Sequence, residues 1–346
     1  MISVKDATRT VVVAAAVCMS LASAASAAVI DTVRVGNPGN AADTRYASPG
    51  YGAVDYSFNI GKYEVTAGQY TAFLNAVAKI DTYGLYNTNM SRTDDGSGIA
   101  RSGGGTVGDS YTYSVASDFA NRPVNFVSFW DSCRFANWLH KGQPTGAQDA
   151  GTTERGAYTL DGYNGHVGRD IQRNPGWKWA VTSEDEWHKA AYYKGGGTNA
   201  GYWDYPTSSN TAPGRDMADA SGNNANYCPG YGAYPIDSGK FTTVAGEFQN
   251  SDSPYGTFDQ GGNVGEWNEA IIYQDSTYAC RGMLGGSFDG DGNYLHADAT
   301  GWDYYDPSSE FYSFGFRVSE VPEPATMGLL ALGGLGMLAR RRSVRG

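Results

Sequence analysis

The sequence has few cysteines, few histidines and few basic side chains. Its 346 residues include 4 cysteines, 4 histidines, and 25 lysines or arginines against 36 acids, which gives a formal charge of −11. A nucleic-acid-binding protein needs a basic footprint, so this balance argues against that class. The histidines lack the paired spacing of a zinc site, and no Gly-x-Ser-x-Gly elbow is present. The sequence therefore offers no familiar hydrolytic site.

Residues 1–27 have the order of a secretory signal peptide. Lys5 and Arg9 precede an apolar run, and small residues ending in Ala25-Ser26-Ala27 follow it. This order of a basic start, an apolar middle and a small-residue cleavage site predicts an exported protein that loses residues 1–27.

Residues 321–346 have three parts that together mark a sorting tail. Pro322 and Pro324 frame a glutamate, an apolar run covers 325–339, and Arg340-Arg341-Arg342 follow. As a helix the run rises about 22 Å, which is less than the ~30 Å hydrocarbon core. With local thinning of the bilayer or extension by the flanking residues it would still cross, so it predicts a short transmembrane helix with the arginines on the cytoplasmic side. The pattern resembles the PEP-CTERM tail of Gram-negative bacteria. That resemblance implies an exosortase-type sorting peptidase as partner, a transient anchor in the inner membrane, and a final place at the cell surface or in the extracellular matrix.

Without both ends, the body has a charge of about −15 and retains Cys133, Cys228 and Cys280. Cys133 falls inside a helical pattern, which leaves Cys228 and Cys280 as the pair that a disulfide would join in an oxidising compartment. The sequence alone does not decide whether they are bridged.

Three helices are predicted between long connections rich in glycine. Their starts are marked by Thr66 as an N-cap, by Ser128 with Asp131, and by Ser183 with Glu186. Brief strands are predicted at "TTVAGEF" (242–248) and "FGFRV" (314–318). Short helices and strands among loops predict one irregular α+β domain over residues 28–320.

A series of motifs along this body resembles the sulfatase-modifying-factor family, the domain of the formylglycine-generating enzyme. The motifs are "IGKYEVTAGQYTAFLNAV" (60–77), "RPVNFVSFWDSCRFANWLH" (122–140), "SEDEWHKAAYY" (183–193), "SPYGTFDQGGNVGEWNEA" (253–270), "RGMLGGSF" (281–288) and "FGFRV" (314–318). The resemblance implies a C-type-lectin-like fold with little regular secondary structure and with bound calcium.

The chain departs from the family pattern where the active enzymes carry two cysteines. Gly290 and Leu295 stand at those positions, and Gly265 replaces the first tryptophan of the "GNVWEW" motif. In the active enzymes the cysteine pair binds copper and handles the substrate thiol. Thiolates are the ligands that select Cu(I), so copper is not expected here and the enzymatic activity is in doubt.

Two calcium sites follow from the resemblance. The first set combines side chains with backbone carbonyls and consists of Asp259, Gly262, Val264 and Glu266. The second, aligned across a loop, consists of Asn226, the carbonyl of Tyr227, Asp237 and the carbonyl of Gly239. Calcium prefers six to eight such oxygens. The alternative is that Asp259 and Glu266 merely cap turns.

Aromatic side chains crowd the segment after residue 293, and a subset with one histidine suggests a ligand face: Tyr294, His296, Trp302, Tyr304 and Tyr305. Aromatic rings suit a peptide or glycan ligand, but they also serve as core packing.

Three functions remain open from the sequence. The first is an exported, non-catalytic binding scaffold stabilised by calcium, at the cell surface or in the exopolysaccharide matrix. The second is a sulfatase-modifying oxidase that converts cysteine to formylglycine. The third is a structural matrix protein.

Overall fold

A computed structural model describes residues 27–230, 235–299 and 305–321. The signal-peptide prediction for residues 1–26 and the sorting tail after Val321 lie outside these residues. In the described part of the chain no helix is long and apolar enough to cross a membrane.

Three α-helices begin where the sequence predicts. They are α1 (Ala67–Val77), α2 (Phe129–His140) and α3 (Glu184–Tyr192). Each starts with a capping box, in which the side chain of Thr66, Ser128 or Ser183 accepts a hydrogen bond from the backbone N–H three residues later. This local exchange satisfies two N–H groups that the first turn leaves without partners.

The described residues also contain two 3-10 turns (Thr88–Ser91 and Gly292–Leu295) and nine short strands: β1 (Thr32–Val35), β2 (Phe58–Gly61), β3 (Ile99–Ser102), β4 (Thr112–Val115), β5 (Trp179–Val181), β6 (Gly265–Gln274), β7 (Ala279–Leu284), β8 (Phe314–Phe316) and β9 (Val318–Glu320). An antiparallel sheet has the order β1-β2-β9-β5, and β3 pairs with β4. A third sheet has the order β7-β6-β8, in which β8 runs parallel to β6. The described chain is thus a mixture of small helices and sheets in a single α+β domain, as predicted.

One predicted strand is wrong. Residues 242–248 form turns, because their N–H groups bond outside any ladder: Thr243 donates to Oδ1 of Asn263 at 2.9 Å and Ala245 to the carbonyl of Asn121 at 2.9 Å. Gly246 then reverses the chain at a φ of 75°, which glycine adopts readily. The other predicted strand, 314–318, is present as β8 and the start of β9.

The main core lies between α1, α2 and the sheets. The rings of Phe73 and Phe135 are edge to face at 5.3 Å, and Phe135 meets Phe316 of β8 at 5.4 Å. Trp267 of β6 is fully buried, and its indole N–H donates to the carbonyl of Val127 at 2.9 Å. This packing holds the β6–β7–β8 sheet against α2 and so places the loop after β7.

Candidate functional site

The loop after β7 carries the two positions where the resemblance implies cysteines. Gly290 is half-buried and Leu295 is completely buried. A Cβ atom added to Gly290 would stand 2.8 Å from Cδ2 of Tyr294. The Tyr294 ring therefore occupies the space next to residue 290, and a cysteine side chain at this position would require the ring to move.

Beside Gly290 lies a cavity of about 190 Å³. Its apolar lining includes Met283, Leu284 and Phe314, its aromatic lining consists of Tyr294 and Tyr305, and its polar lining includes Ser287, Asp289 and Ser313. Asp289 and both tyrosines are only half-buried, so solvent reaches this side. A pocket with apolar walls and a few oriented polar groups is the usual form of a small-ligand site.

The polar side of the cavity is oriented by short contacts within the loop. The hydroxyl of Ser287 donates to Oδ1 of Asp289 at 2.5 Å, and the N–H of Gly290 donates to the carbonyl of Ser287 at 3.0 Å. The carbonyl of Gly290 accepts from the N–H of Cys228 at 2.8 Å. These bonds hold the Asp289 carboxylate at the cavity edge, where it accepts hydrogen bonds or attracts a cation.

Only part of the predicted ligand face lines the cavity. Tyr294 and Tyr305 line the cavity. His296 lies elsewhere: its Nδ1 is 2.6 Å from Oδ1 of Asp298, and its ring packs edge to face on Tyr46 at 5.2 Å and on Tyr205 at 5.1 Å. The two other members of the predicted face, Trp302 and Tyr304, lie outside the described residues.

Glu266, a predicted calcium ligand, is fully engaged with protein donors. Its Oε1 accepts from Arg317 at 2.7 Å, and its Oε2 accepts from the same guanidinium at 2.8 Å and from the indole of Trp187 at 2.7 Å. All three side chains are buried. A cation bound at Glu266 would have to share this carboxylate with the charge of Arg317, which opposes it.

Near this pair two further carboxyls are withdrawn from water. Desolvation raises the pKa of Asp259 to about 6, although its Oδ2 accepts from the N–H of Gly246 at 2.6 Å. Glu64 is 1% exposed, and neither of its carboxylate oxygens has a hydrogen-bond partner among the described residues. Burial and the nearby charge of Asp259 raise the pKa of Glu64 well above its ordinary value. A buried carboxyl without a donor is stable only when it is protonated or bound to a cation.

The predicted second calcium set is brought partly together. Asn226 pairs by a backbone bridge with Gly262, and its Oδ1 is buried without a donor among the described residues. Asp237 forms an ion pair with Arg122. The predicted ligand atoms of Tyr227 and Gly239 are their backbone carbonyls; Tyr227 precedes Cys228 in the chain, and Gly239 lies in the turn after Asp237 at a φ of 70°. Within this set, the Asn226 side-chain oxygen is buried without a donor among the described residues and so has capacity for a cation.

Glu64 and Asn226 therefore have buried oxygens that a calcium ion would satisfy, and Asp259 has a desolvated carboxyl, whereas the carboxylate of Glu266 is already occupied by protein donors. Within the described ranges no group of three or more His, Cys, Asp or Glu side chains is placed to hold a metal ion. An ion near Glu64 or Asn226 would therefore take most of its ligands from backbone carbonyls, such as those predicted at Gly262 and Val264, or from water.

The pairing of Cys228 with Cys280 is not formed. Cys133, Cys228 and Cys280 are free and buried. The thiol of Cys228 donates to the carbonyl of Gly230 at 2.7 Å, whereas Cys280 lies in β7 opposite Tyr273. The two thiols have different neighbours and are not bridged in this structure, a question that the sequence left open.

Sequence reasoning missed the roles of Glu64 and Arg317. Both stand inside quoted motifs, "KYEVT" and "FGFRV", where each is the charged residue next to buried apolar neighbours. That pattern is the available signal, because a charge in an apolar stretch must find a partner when it is buried.

Comparisons with known proteins agree with this fold. The family model of the sulfatase-modifying factor enzyme 1-like domain matches residues 32–321, and that of the PEP-CTERM protein-sorting motif matches residues 320–343. Among solved structures, CarF aligns with a TM-score of 0.51 at 21% identity, over 85% of this chain and 99% of the other. PvdO from Pseudomonas aeruginosa aligns with a TM-score of 0.43 at 18% identity, over 85% and 92%. No curated protein matches the chain.

The likeness to CarF concerns the fold alone. The family model covers nearly all of the body, including the first predicted calcium set at 259–266, the loop with Gly290 and the last two strands, β8 and β9. The sorting motif adds an export signal of the exosortase system at the C-terminal end. The chain is an exported member of the sulfatase-modifying factor enzyme 1-like family.

Proposed function

We propose that this protein is a non-catalytic binding scaffold, stabilised by calcium, that acts at the cell surface or in the exopolysaccharide matrix. The observation that carries the proposal is the cavity beside Gly290. It lies where the resemblance puts the cysteine pair of the active enzymes, but Tyr294 fills the space next to residue 290. The cavity retains a place for a ligand and lacks the thiols that the family's oxidation requires.

The lining favours a glycan or a peptide as ligand. Tyr294 and Tyr305 provide flat apolar faces, and Asp289 with Ser287 and Ser313 provides hydrogen-bonding oxygens at one side. Aromatic rings give a large contact area at a low cost in side-chain entropy, which is why binding surfaces of proteins use tyrosine often. A sugar ring or a short peptide segment matches this combination of flat and polar surfaces.

Calcium would act structurally. The buried oxygens of Glu64 and Asn226 have no protein donor in the described part of the chain, and the pKa of Asp259 is raised by burial. A cation that bound these oxygens would remove the cost of leaving them unpaired and would stabilise the loops that carry them. Copper has no part in this proposal.

The sorting tail determines how the scaffold reaches its place. We infer that residues 325–339 hold the exported chain in the inner membrane, with the arginines of 340–342 on the cytoplasmic side, until an exosortase-type peptidase cuts near Pro322–Pro324. The family-model match to the sorting motif supports this sequence of events.

Glycan and peptide arrays probed with the purified protein, with calcium and with a chelator, test the binding function. A ligand of the cavity should lose binding when Asp289→Asn and Tyr294→Ala are combined. Tyr278→Ala is the matched control, because Tyr278 is 43% exposed at the β6–β7 turn and does not line the cavity. Equal binding by both variants would place the ligand elsewhere. An absence of any ligand would favour the structural matrix protein instead.

A further inference from the structure

The cavity beside Gly290 extends to Gly265, the first residue of β6. Gly265 is buried, lines the cavity and pairs directly with Phe314 of β8. Trp267 lies two positions further along β6, and therefore on the same face of the strand, and it packs edge to face on Phe314 at 5.3 Å. Gly265 stands where the motif that this segment resembles has a tryptophan. The chain thus lacks a second indole beside that of Trp267.

A side chain at residue 265 would enter the cavity. The three nearest atoms to a Cβ added at Gly265 all belong to residues of the lining: Cε of Met283 at 3.0 Å, the carbonyl oxygen of Ser313 at 3.5 Å and the carbonyl oxygen of Gly286 at 3.7 Å. The backbone of Gly265 does not adopt the left-handed conformation that favours glycine. The shortest contact is with the end of a flexible methionine side chain. The cavity therefore reaches this point because residue 265 has no side chain.

The two other glycines of the lining have a different role. A Cβ added to Gly286 would stand 2.7 Å from Cβ of Tyr294, and one added to Gly290 would stand 2.8 Å from Cδ2 of the same residue. Gly286 also has a φ of 68°, which glycine adopts readily. These two glycines allow the close approach of Tyr294, whereas Gly265 controls the open volume.

The volume of the cavity matches a single ring. The cavity measures about 190 Å³. An apolar cavity of about 150 Å³ inside a protein binds benzene, whereas pockets for larger ligands start at about 300 Å³. The cavity therefore accepts one aromatic ring system or one sugar ring, and it is too small for an oligosaccharide.

The lining around Gly265 distinguishes between these two kinds of ring. The side chains of Met283 and Phe314 are apolar and buried. The nearby polar atoms are the carbonyl oxygens of Ser313 and Gly286, which only accept hydrogen bonds. The Ser313 carbonyl accepts from the N–H of Gly265 at 2.7 Å and has a second lone pair.

A sugar ring suits this lining less well than an aromatic side chain does. Its hydroxyls surround the ring, and those that met Met283 or Phe314 would be buried without partners, which costs free energy. An indole or a phenol brings flat apolar faces and one donor. A thioether such as that of Met283 also contacts an aromatic ring favourably.

We propose that the cavity at Gly265 takes the side chain of a tryptophan or a tyrosine from a peptide ligand, and that Gly265 determines this specificity. The proposal rests on the binding function proposed above and names its ligand class. The ring lies against Met283 and Phe314, and its N–H or O–H donates to one of the two carbonyls near Gly265. Asp289, half-buried at the solvent side, accepts from backbone N–H groups of the peptide.

Ligand-observed NMR titrations of the purified full-length protein test the proposal. The probes are N-acetyl-tryptophanamide, N-acetyl-tyrosinamide, N-acetyl-phenylalaninamide and methyl glucoside. The first two should bind, the phenylalanine probe should bind more weakly because its side chain has no donor, and the glucoside should not bind. Gly265→Trp should weaken the binding of N-acetyl-tryptophanamide roughly tenfold or more, because the new indole occupies the cavity and removes the buried contact area.

The matched control is Gly108→Trp. It adds the same side chain in the turn between β3 and β4, where a Cβ at Gly108 would meet no described atom within 4 Å, and it should bind the probes as the parent does. A second measurement needs no variant at residue 265. In protein with isotope-labelled methionine methyl groups, the Met283 resonance, assigned with Met283→Leu, should shift when N-acetyl-tryptophanamide is added.

The outcomes separate this proposal from the binding function on which it rests. Equal binding of N-acetyl-tryptophanamide by Gly265→Trp and Gly108→Trp, or an unchanged Met283 resonance, overturns the aromatic site. It leaves the binding function standing if the arrays identify a ligand. Binding of methyl glucoside in place of the aromatic probes would make the cavity a sugar site and would also overturn the proposal. Binding of no probe to the parent overturns it as well, and the binding function fails with it only if the arrays find no ligand.

Discussion

Glu266 of β6 and Arg317, the residue between β8 and β9, form a bidentate ion pair with both side chains withdrawn from solvent. The side chains are 1% and 0% exposed, and the guanidinium also donates to the carbonyls of Gly61 and Phe258 at 2.8 and 2.9 Å. The pair therefore joins the β7-β6-β8 sheet to the β1-β2-β9-β5 sheet.

Breaking this pair should destabilise the fold strongly. Arg317→Gln leaves the carboxylate of Glu266 buried with one remaining donor, and loss of one partner of a buried pair costs about 3–5 kcal/mol. Urea unfolding measures the change. The control is Arg155→Gln, whose ion pair with Asp161 lies on the surface and should leave the unfolding midpoint unchanged. Equal midpoints for the two variants would show that the buried pair does not hold the sheets together.

Glu310 should make the stability depend on pH. Burial and the charge of Asp131 raise its pKa from 4.5 to about 8, so between these values the folded state keeps a proton that the unfolded chain has lost. The contribution of this group to stability is therefore present below its unfolded pKa and is lost as pH rises towards about 8. Glu310→Gln should match the parent in acid and exceed it in stability at alkaline pH. Thermal melting across this range measures the divergence of the two proteins, and a difference that does not change with pH would contradict it.

Calcium should raise the melting temperature. An ion that binds only the folded state stabilises it by about 2.7 kcal/mol at a hundred times its dissociation constant. Glu64→Gln combined with Asp259→Asn should remove the difference between calcium and chelator. Glu266→Ala is not a suitable test, because it also breaks the ion pair with Arg317. Identical melting of the parent protein in calcium and in chelator would end the calcium proposal.

The protein should not oxidise a sulfatase cysteine. Incubation with copper, oxygen and a Cys-x-Pro-x-Arg peptide should give no aldehyde, because Gly290 and Leu295 supply no thiolate and Cys133, Cys228 and Cys280 are separate buried thiols. Cys228 lies beside Gly290 through its backbone, but its thiol donates to the carbonyl of Gly230. Mass spectrometry of the peptide and its hydrazide adduct is the measurement. Turnover that is lost in Cys228→Ser or Cys280→Ser would establish the oxidase alternative.

The thiols should behave as three separate buried groups. Alkylation should reach Cys133, Cys228 and Cys280 only after unfolding, without prior reduction. Cys280→Ser should lack the cost of about 2–5 kcal/mol that follows removal of a native disulfide. A mass lower by two hydrogens in the unreduced protein would instead reveal a Cys228–Cys280 bridge.

Local sequence signals predicted the regular elements well where the interaction spans a few residues. Thr66, Ser128 and Ser183 each cap the helix that follows them. The segment 242–248 was predicted wrongly, because its β-branched residues favour a strand while the side chain of Asn263, distant in sequence, takes the N–H of Thr243. A strand also needs a neighbouring strand, and the sequence window does not show whether one is available.

The candidate site was predicted in part. Motifs identified the family, the loop with Gly290 and the segment that contains Tyr294 and Tyr305, but they grouped His296 with those tyrosines although the structure turns it towards Asp298 and Tyr46. Residues two apart in a short helical turn point in different directions, so neighbours in sequence need not share a surface.

The sequence by itself determined the family, the helix starts and the absence of thiols at residues 290 and 295, because these depend on residue identity and on contacts across three or four positions. Only the tertiary structure decided that Glu266 pairs with Arg317, that Glu64 is buried without a donor, and that Tyr294 fills the space beside Gly290. Each of these depends on which distant groups exclude water from a side chain, and desolvation is a property of the packed fold rather than of any segment.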